Sequence, residues 1–471
     1  MKSIKTKFQA ILPKDLSTTL IELREQKTTD VLLKPSGQRV IQIGVEDFKK
    51  INRRKLILLF RRVIALARAN RAKKISINLA DFAFAHLALA SNDLAELAAT
   101  NFEMANFEFI KYKSKPPEGW NFVEEIYLQG AESRDSRSGF ERGQIIGEEV
   151  NKTRALANMP GGEMTPKLLA HAAREAVRGT KVKAKILGKS EIKKLGMGGI
   201  IGVSQGSNED PQFVVLEYWG SPSAGSGRSK PIVLIGKGVT FDTGGLNLKP
   251  SAYIYEMHMD MSGGAAVIHA VALAAHLGLK INVVGLVPAA ENMPSGSSYH
   301  PGDLLKSMSG KTIEVLDTDA EGRIILADAL TYAQKFYSPR LVIDVATLTG
   351  SAAGALGERA SAIFTPDENL EKLFRELGEE SGDYVWPLPL WEEYEEEIKG
   401  TFGDWANVGK TRYGGAITAA VFLWQFIKES KIPWVHIDMA PRMTSIEGEF
   451  LSKGAAGAPV RLLIKLLEKY V

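Results

Sequence analysis

Ile232-Val233-Leu234-Ile235-Gly236-Lys237-Gly238-Val239-Thr240-Phe241-Asp242-Thr243-Gly244-Gly245-Leu246-Asn247-Leu248-Lys249 joins an unbroken apolar tetrapeptide to a glycine-rich segment with two lysines and an aspartate. Four consecutive apolar residues closed by glycine predict a short strand buried on both faces, the form strands take in a parallel sheet covered by helices. The glycines permit tight turns and close backbone approach to a ligand. In such sheets ligands gather beyond the carboxyl ends of the strands. Taken alone, the segment is a weak signal, and a plain glycine-rich turn is the favoured reading.

Outward from it the same rhythm recurs. Apolar runs at 213–218, 283–287, 341–346 and 434–437 alternate with helical spacing at 265–277, 323–336, 416–428 and 458–468. The alternation predicts an α/β/α domain with a mixed, mainly parallel sheet. Upstream, 29–34 and 39–43 flank Pro35-Ser36-Gly37-Gln38 as a hairpin. Residues 54–72 and 92–102 read as helices, and 74–78, 107–112 and 123–128 as strands. A chain of 471 residues exceeds what one core normally serves. The expected division is a smaller N-terminal α/β domain over 1–135, a connecting helix over 136–158 and a larger C-terminal catalytic domain over 159–471. Met159-Pro160-Gly161-Gly162 ends the connecting helix, and Thr165-Pro166 starts the next with a cap and a first-turn proline. The Gly/Ser-rich stretch 221–230 reads as a surface connection.

Composition narrows the chemistry. The absence of cysteine excludes disulfides, zinc–thiolate sites and a cysteine nucleophile. Basic and acidic residues number 59 and 55, too even and too dispersed for a nucleic-acid footprint. Nucleic-acid binding is therefore held only as an additional role, and the basic runs at 52–55 and 61–62 read as solvated helix faces. No apolar run approaches the ~20 residues of a membrane helix. Met1-Lys2-Ser3-Ile4-Lys5 has no apolar segment behind it, so a cytoplasmic protein is expected.

Two further segments carry acids. Met257-His258-Met259-Asp260-Met261-Ser262-Gly263-Gly264 places Asp260 at the mouth of an apolar helix, where a capping role is the plainer reading. Asp317-Thr318-Asp319-Ala320-Glu321-Gly322-Arg323 lies between a strand-like run and a helix. Its carboxylates repel one another, and burying them unpaired is costly unless a cation relieves the conflict. The seven histidines form no His-x-x-x-His or His-Glu-x-x-His pair. Any metal site should therefore be carboxylate-rich, a chemistry that suits paired Mn, Mg or Zn ions.

Together these segments resemble the leucyl aminopeptidase (cytosol aminopeptidase) family in order and separation. The likeness runs from about Asn151 to the C-terminus. It takes in Thr165-Pro166, Glu291-Asn292-Met293-Pro294-Ser295-Gly296, Pro301-Gly302-Asp303, Ala346-Thr347-Leu348-Thr349-Gly350 and His436-Ile437-Asp438. It implies a dinuclear metallo-exopeptidase holding two divalent ions, Mn or Zn foremost and Mg or Co as alternatives. Asp242 and Glu321 would bridge the ions, Lys237 and Asp260 would complete one shell, and Asp319 the other. Lys249 would stabilise the oxyanion, and Arg323 would hold bicarbonate as general base. A metal-bridging water would attack the first peptide carbonyl, while the substrate's free α-amine meets Asp260. Met257, Thr347, Gly350, Ala440 and Met443 would line a pocket for Leu-like side chains. The resemblance also implies a homohexamer acting on peptides.

Four positions depart from the family pattern: Asp317 stands for its usual Asn, Ile324 for Leu, Thr243 for Ser and Pro441 for Gly. The rival reading is a serine hydrolase, because Gly202-Val203-Ser204-Gln205-Gly206 fits G-x-S-x-G. That motif needs a strand before it and a helix after it, and the flanking sequence offers neither, so Ser204 is expected in a loop.

Overall fold

The computed structural model describes residues 3–9, 15–220 and 229–471, so the connection expected at 221–230 lies outside them except for its last two residues. The chain divides into two compact units, Met1–Asn151 with Ser445–Gly454, and Lys152–Thr444 with Ala455–Val471. Among the described residues no helix is long and apolar enough to cross a membrane.

In the first unit the described strands form a sheet in the order Lys5–Phe8, Glu125–Gln129, Lys74–Asn78, Thr19–Glu25, Arg39–Val45, Asp30–Leu33. Its pairs are parallel except the last, the expected hairpin. Helix Arg53–Ala69 starts where the Asn52 side chain accepts the Lys55 N–H at 2.9 Å. It packs with helix Ser91–Ala105 over a core that includes Phe60, Phe82 and Phe102.

The strand expected at 107–112 does not form. Side-chain bonds take over from a ladder there. Asn106 bonds both the N–H and the C=O of Val123, and Glu108 pairs with Arg68 and Lys113 at 2.7 Å each.

Helix Arg134–Ala157 covers the stretch read as boundary and connector. Gly139, Gly143 and Gly147 recur every fourth residue and so share one face. A Cβ on them would meet Asn92 O at 2.2 Å, Glu96 O at 2.3 Å and Glu103 Cβ at 2.6 Å, so only glycine lets this helix lie on Ser91–Ala105.

In the second unit the sheet runs Val385–Pro387, Ser361–Phe364, Trp434–Asp438, Leu341–Ala346, Ile232–Gly236, Asn282–Asn292, Gln212–Trp219, Lys183–Leu187, with Gly238–Asp242 added beside Asn282–Asn292. The centre is parallel, and antiparallel pairs lie toward the edges. All five residues of Ile232–Gly236 are buried, and helices Ser262–His276 and Glu321–Tyr337 both pack against this strand. Gly238–Asp242 is a strand the sequence did not suggest, because glycine and a polar threonine mask its pattern. Lys237 therefore sits in the joint between two strands, and Asp242, Asn292, Thr347 and Ala440 lie at or just beyond strand carboxyl ends.

Glu103 is buried in the first unit, where its Oε1 accepts the Ile4 N–H at 3.0 Å and the Gln144 amide at 3.1 Å. Burial pushes its carboxyl up from 4.5 to about 7. A raised folded-state value favours the folded form at low pH, and that advantage is lost as pH rises through it. Glu103→Gln keeps the accepting oxygen and removes the charge. Thermal unfolding at about pH 5 and about pH 8 should show the variant gaining on wild type, by a margin on the order of 3 kcal/mol. An unchanged difference would contradict the assignment.

Candidate metal centre

The site is assembled around two lysines, Lys237 buried and Lys249 partly buried. Lys237 is pinned through its main chain: its N–H donates to Val345 O at 3.0 Å, and its C=O accepts from Gly264 N at 2.7 Å. Its Nζ donates to Thr347 O at 3.0 Å and lies 2.8 Å from both Asp260 Oδ2 and Glu321 Oε1. Glycine is required at 322 because a Cβ there would strike Lys237 Cε at 2.5 Å. Lys249 lies 2.9 Å from Asp242 Oδ2 and pairs closely with Asp319 Oδ1.

Asp260 does not cap the helix that follows it, whose start carries no side-chain cap. Its Oδ1 accepts from the Thr347 hydroxyl at 2.7 Å instead. Asp242 Oδ1 accepts from Asn292 Nδ2 at 2.8 Å and Gly244 N at 2.9 Å. Oxygens of Asp242, Asp319 and Glu321 lie within 4.8 Å of one another. Asp260 Oδ2, Asp319 Oδ1 and Glu321 Oε1 are buried without an aligned hydrogen bond, although each touches a lysine ammonium. Four carboxyl groups, those of Asp242, Asp260, Asp319 and Glu321, thus converge on the two ammoniums of Lys237 and Lys249. Carboxylate oxygens converging this closely are a donor set that fits a divalent cation.

The same crowding shifts ionisation. Burial, then repulsion by Asp242 and Glu321, raises Asp319 to about 7. Burial, reinforced by Glu321 and Asp242, raises Asp260 well above the carboxylate range. Burial alone would lower Lys237, but attraction to Asp260, Glu321 and Asp242 outweighs it and holds the ammonium above its usual value. Lys249 is likewise raised, by Asp242, Glu321 and Asp319 against burial. Burial lowers Arg323 to about 10. Its Nη1 donates to Asn407 O at 2.8 Å, and its Nε has no partner among the described residues.

The residues expected to line a side-chain pocket lie at the turns and helix starts that follow the strands or lead to Asp260. Thr347 bonds Asp260 directly, and helix Gly350–Leu356 packs on the turn Ala440–Arg442. Buried Asp438 ties these loops, accepting from Leu348 N at 3.1 Å, Thr349 Oγ1 at 2.6 Å and Ala440 N at 3.1 Å. Met257 opens the turn leading to Asp260, and Met443 follows Ala440–Arg442.

Sequence reading passed over the clamp that joins the two halves of the site. Thr318 Oγ1 donates to Gly244 O at 2.6 Å and accepts from Asn247 N at 2.9 Å, while Thr318 O accepts from Asn292 Nδ2 at 2.9 Å and from Tyr299 OH at 2.8 Å. Thr318 lay between the acids, and nothing marked it as more than a spacer. Asp317 Oδ1 accepts from Asp319 N at 2.8 Å, a bond an asparagine would also make; nothing in the structure explains its extra charge. Ser204 belongs to a 3₁₀ turn rather than a loop, directly after helix Gly198–Val203, and its hydroxyl donates to Ile201 O at 3.1 Å. The strand before and helix after that a nucleophile elbow needs are not there.

Carboxylates and lysines gathered at the strand ends of an α/β sheet are a donor set that could hold metal ions. Residues 151–464 match the cytosol aminopeptidase family, catalytic domain. The chain is 38% identical over 450 residues to a probable cytosol aminopeptidase of Saccharophagus degradans, covering 94% of this chain and 86% of the relative. It is 46% identical over 335 residues to one of an Azoarcus species, 71% of this chain and 65% of the relative. A solved bottromycin maturation enzyme, BotP, in complex with Mn, matches with a TM-score of 0.85 at 28% identity, over 96% of this chain and 99% of that one. The chain belongs to the cytosol aminopeptidase family, a family of peptide hydrolases.

Gly322→Ala tests the packing of the lysine on the acidic loop. A methyl displacing Lys237 should cut activity by about 10²-fold, as small misplacements at a reacting centre do. Metal content by elemental analysis should fall with it while the unfolding temperature changes little. Full activity with full metal content would contradict the geometry.

Proposed function

We propose that this chain is an aminopeptidase that uses two divalent ions to release N-terminal residues, Leu-like ones preferentially, from peptides. The observation that carries the reading is the cluster of Asp242, Asp260, Asp319 and Glu321, partly orphaned in burial, around Lys237 and Lys249. Asp242 and Glu321 would bridge the ions, Lys237 and Asp260 would serve one, and Asp319 the other. Mn is the first choice, given the Mn in the solved relative, and Zn the second. When bound, the ions supply an acidified water and polarise the scissile carbonyl.

The chain's own residues do the rest. Lys237 is held charged by its carboxylate neighbours and can act as an amine ligand only once a cation offsets them. Lys249 keeps its proton for the same reason and donates to the oxyanion that develops on the peptide carbonyl. Asp260 would meet the substrate's free α-amine, which restricts cleavage to free N-termini. The unpartnered Nε of Arg323 offers a donor to bicarbonate, the proposed general base. Met257, Thr347, Gly350, Ala440 and Met443 form the side-chain pocket. Selectivity between side chains differing by a methylene should amount to ~1–3 kcal/mol. A cytoplasmic homohexamer is the proposed assembly, and a monomer in sedimentation would refute it.

The deciding experiment is hydrolysis of aminoacyl amides after chelation and restoration with Mn, Zn, Co or Mg. Activity should vanish on chelation and return with metal, and leucyl amide should be among the best substrates. No activity with any metal would sink the proposal. Lys249→Met should lower kcat by about 10²–10³ with KM little changed, the signature of a lost transition-state donor. An equal rise in KM at constant kcat would instead place Lys249 in ground-state binding.

A further inference from the structure

Asn407 follows the short strand Trp405–Ala406, in a segment carrying none of the chemical motifs, yet it is fully buried against the acidic loop. Its Oδ1 accepts from Leu316 N at 2.8 Å and Asp317 N at 3.3 Å. Its Nδ2 donates to Asp317 O at 2.6 Å and Ala320 O at 3.4 Å. One carboxamide thus uses both donors and both acceptor positions on main-chain groups between 316 and 320. Its main-chain oxygen accepts from Arg323, and its N–H donates to Glu314 O at 2.9 Å.

The segment before it is braced as well. Glu314 Oε2 accepts the N–H groups of Thr401, Phe402 and Gly403, and Asp404 Oδ2 accepts the Thr312 N–H and hydroxyl. The carboxamide is therefore presented from a fixed support. The loop it grips carries Asp319 and leads into Glu321, two carboxylates that repel each other and Asp242. A loop free to relax would let them separate, and a cation would then have to draw them together again.

We propose that Asn407 is a positioning residue of the metal centre, which holds the 316–320 main chain so that Asp319 and Glu321 stay converged before metal arrives. This rests on the metal-site reading given under the proposed function. Asn407→Ala removes the four side-chain bonds but keeps the main-chain bond to Arg323, so it isolates the loop. Chelator-stripped full-length wild type and variant are titrated with Mn²⁺ by calorimetry, alongside unfolding temperatures and leucyl-amide kinetics.

The expected result is Mn²⁺ affinity weakened about 10–100-fold, the range for residues that orient metal ligands, with the loss in kcat rather than KM. Asn407→Ser, which keeps one donor and one acceptor, should give an intermediate loss and replaces the alanine variant if that does not fold. Mn²⁺ affinity within twofold of wild type in the folded variant overturns the positioning role, whatever the unfolding temperature does. Wild type that binds no Mn²⁺ overturns instead the metal-site reading beneath it.

Discussion

Four carboxylates cannot share a buried space without compensation, and in this protein the compensation is arranged as two lysine ammoniums, one on each side of the cluster. The constraint reaches well beyond those six side chains. Lys237 sits in the joint between two strands, and Gly322 leaves room for its side chain, since a Cβ there would lie 2.5 Å from Lys237 Cε. Gly236 also lets the start of helix Ser262–His276 approach, since a Cβ there would lie 2.5 Å from Gly263 O.

Because the acids come from separate segments, something neutral must hold those segments in register. Thr318, Asn247, Asn292 and Asn407 do so with uncharged groups, which add no further charge to a crowded site. Amides suit this task, since each has donors and acceptors that can satisfy buried main-chain groups on two strands of the loop at once. Asp438 plays a comparable part for the segments at 347–350 and 440, where its carboxylate accepts from three donors.

The first unit obeys a different rule. Its helix–helix packing depends on absent side chains, the glycines at 139, 143 and 147, and on a buried glutamate whose charge is disfavoured. None of these features belongs to the chemistry of the second unit. They concern how a modest sheet and its helices close over a core.

The α/β rhythm of the second unit was legible in the sequence because its strands are continuous apolar runs and its helices keep their period; Ile232–Gly236 and Leu341–Ala346 are examples. The acids and lysines were legible as a set only through the resemblance to the leucyl aminopeptidase family, since singly they read as a glycine-rich turn and a helix cap. The strand Gly238–Asp242 was not, since its buried positions are filled by glycine and threonine as well as valine. Nor was the missing strand at 107–112, whose apolar residues are held by side-chain bonds of Asn106 and Glu108 formed with distant partners. Sequence alone thus determined the architecture of the second unit and the chemical character of its site, because both are written in local pattern. Tertiary structure alone decided which carboxylate meets which lysine and gave Thr318 and Asn407 their roles. Those depend largely on contacts between segments far apart in the chain, such as Lys237 with Glu321, Lys249 with Asp319 and Asn407 with Asp317, whose pairing no local spacing encodes.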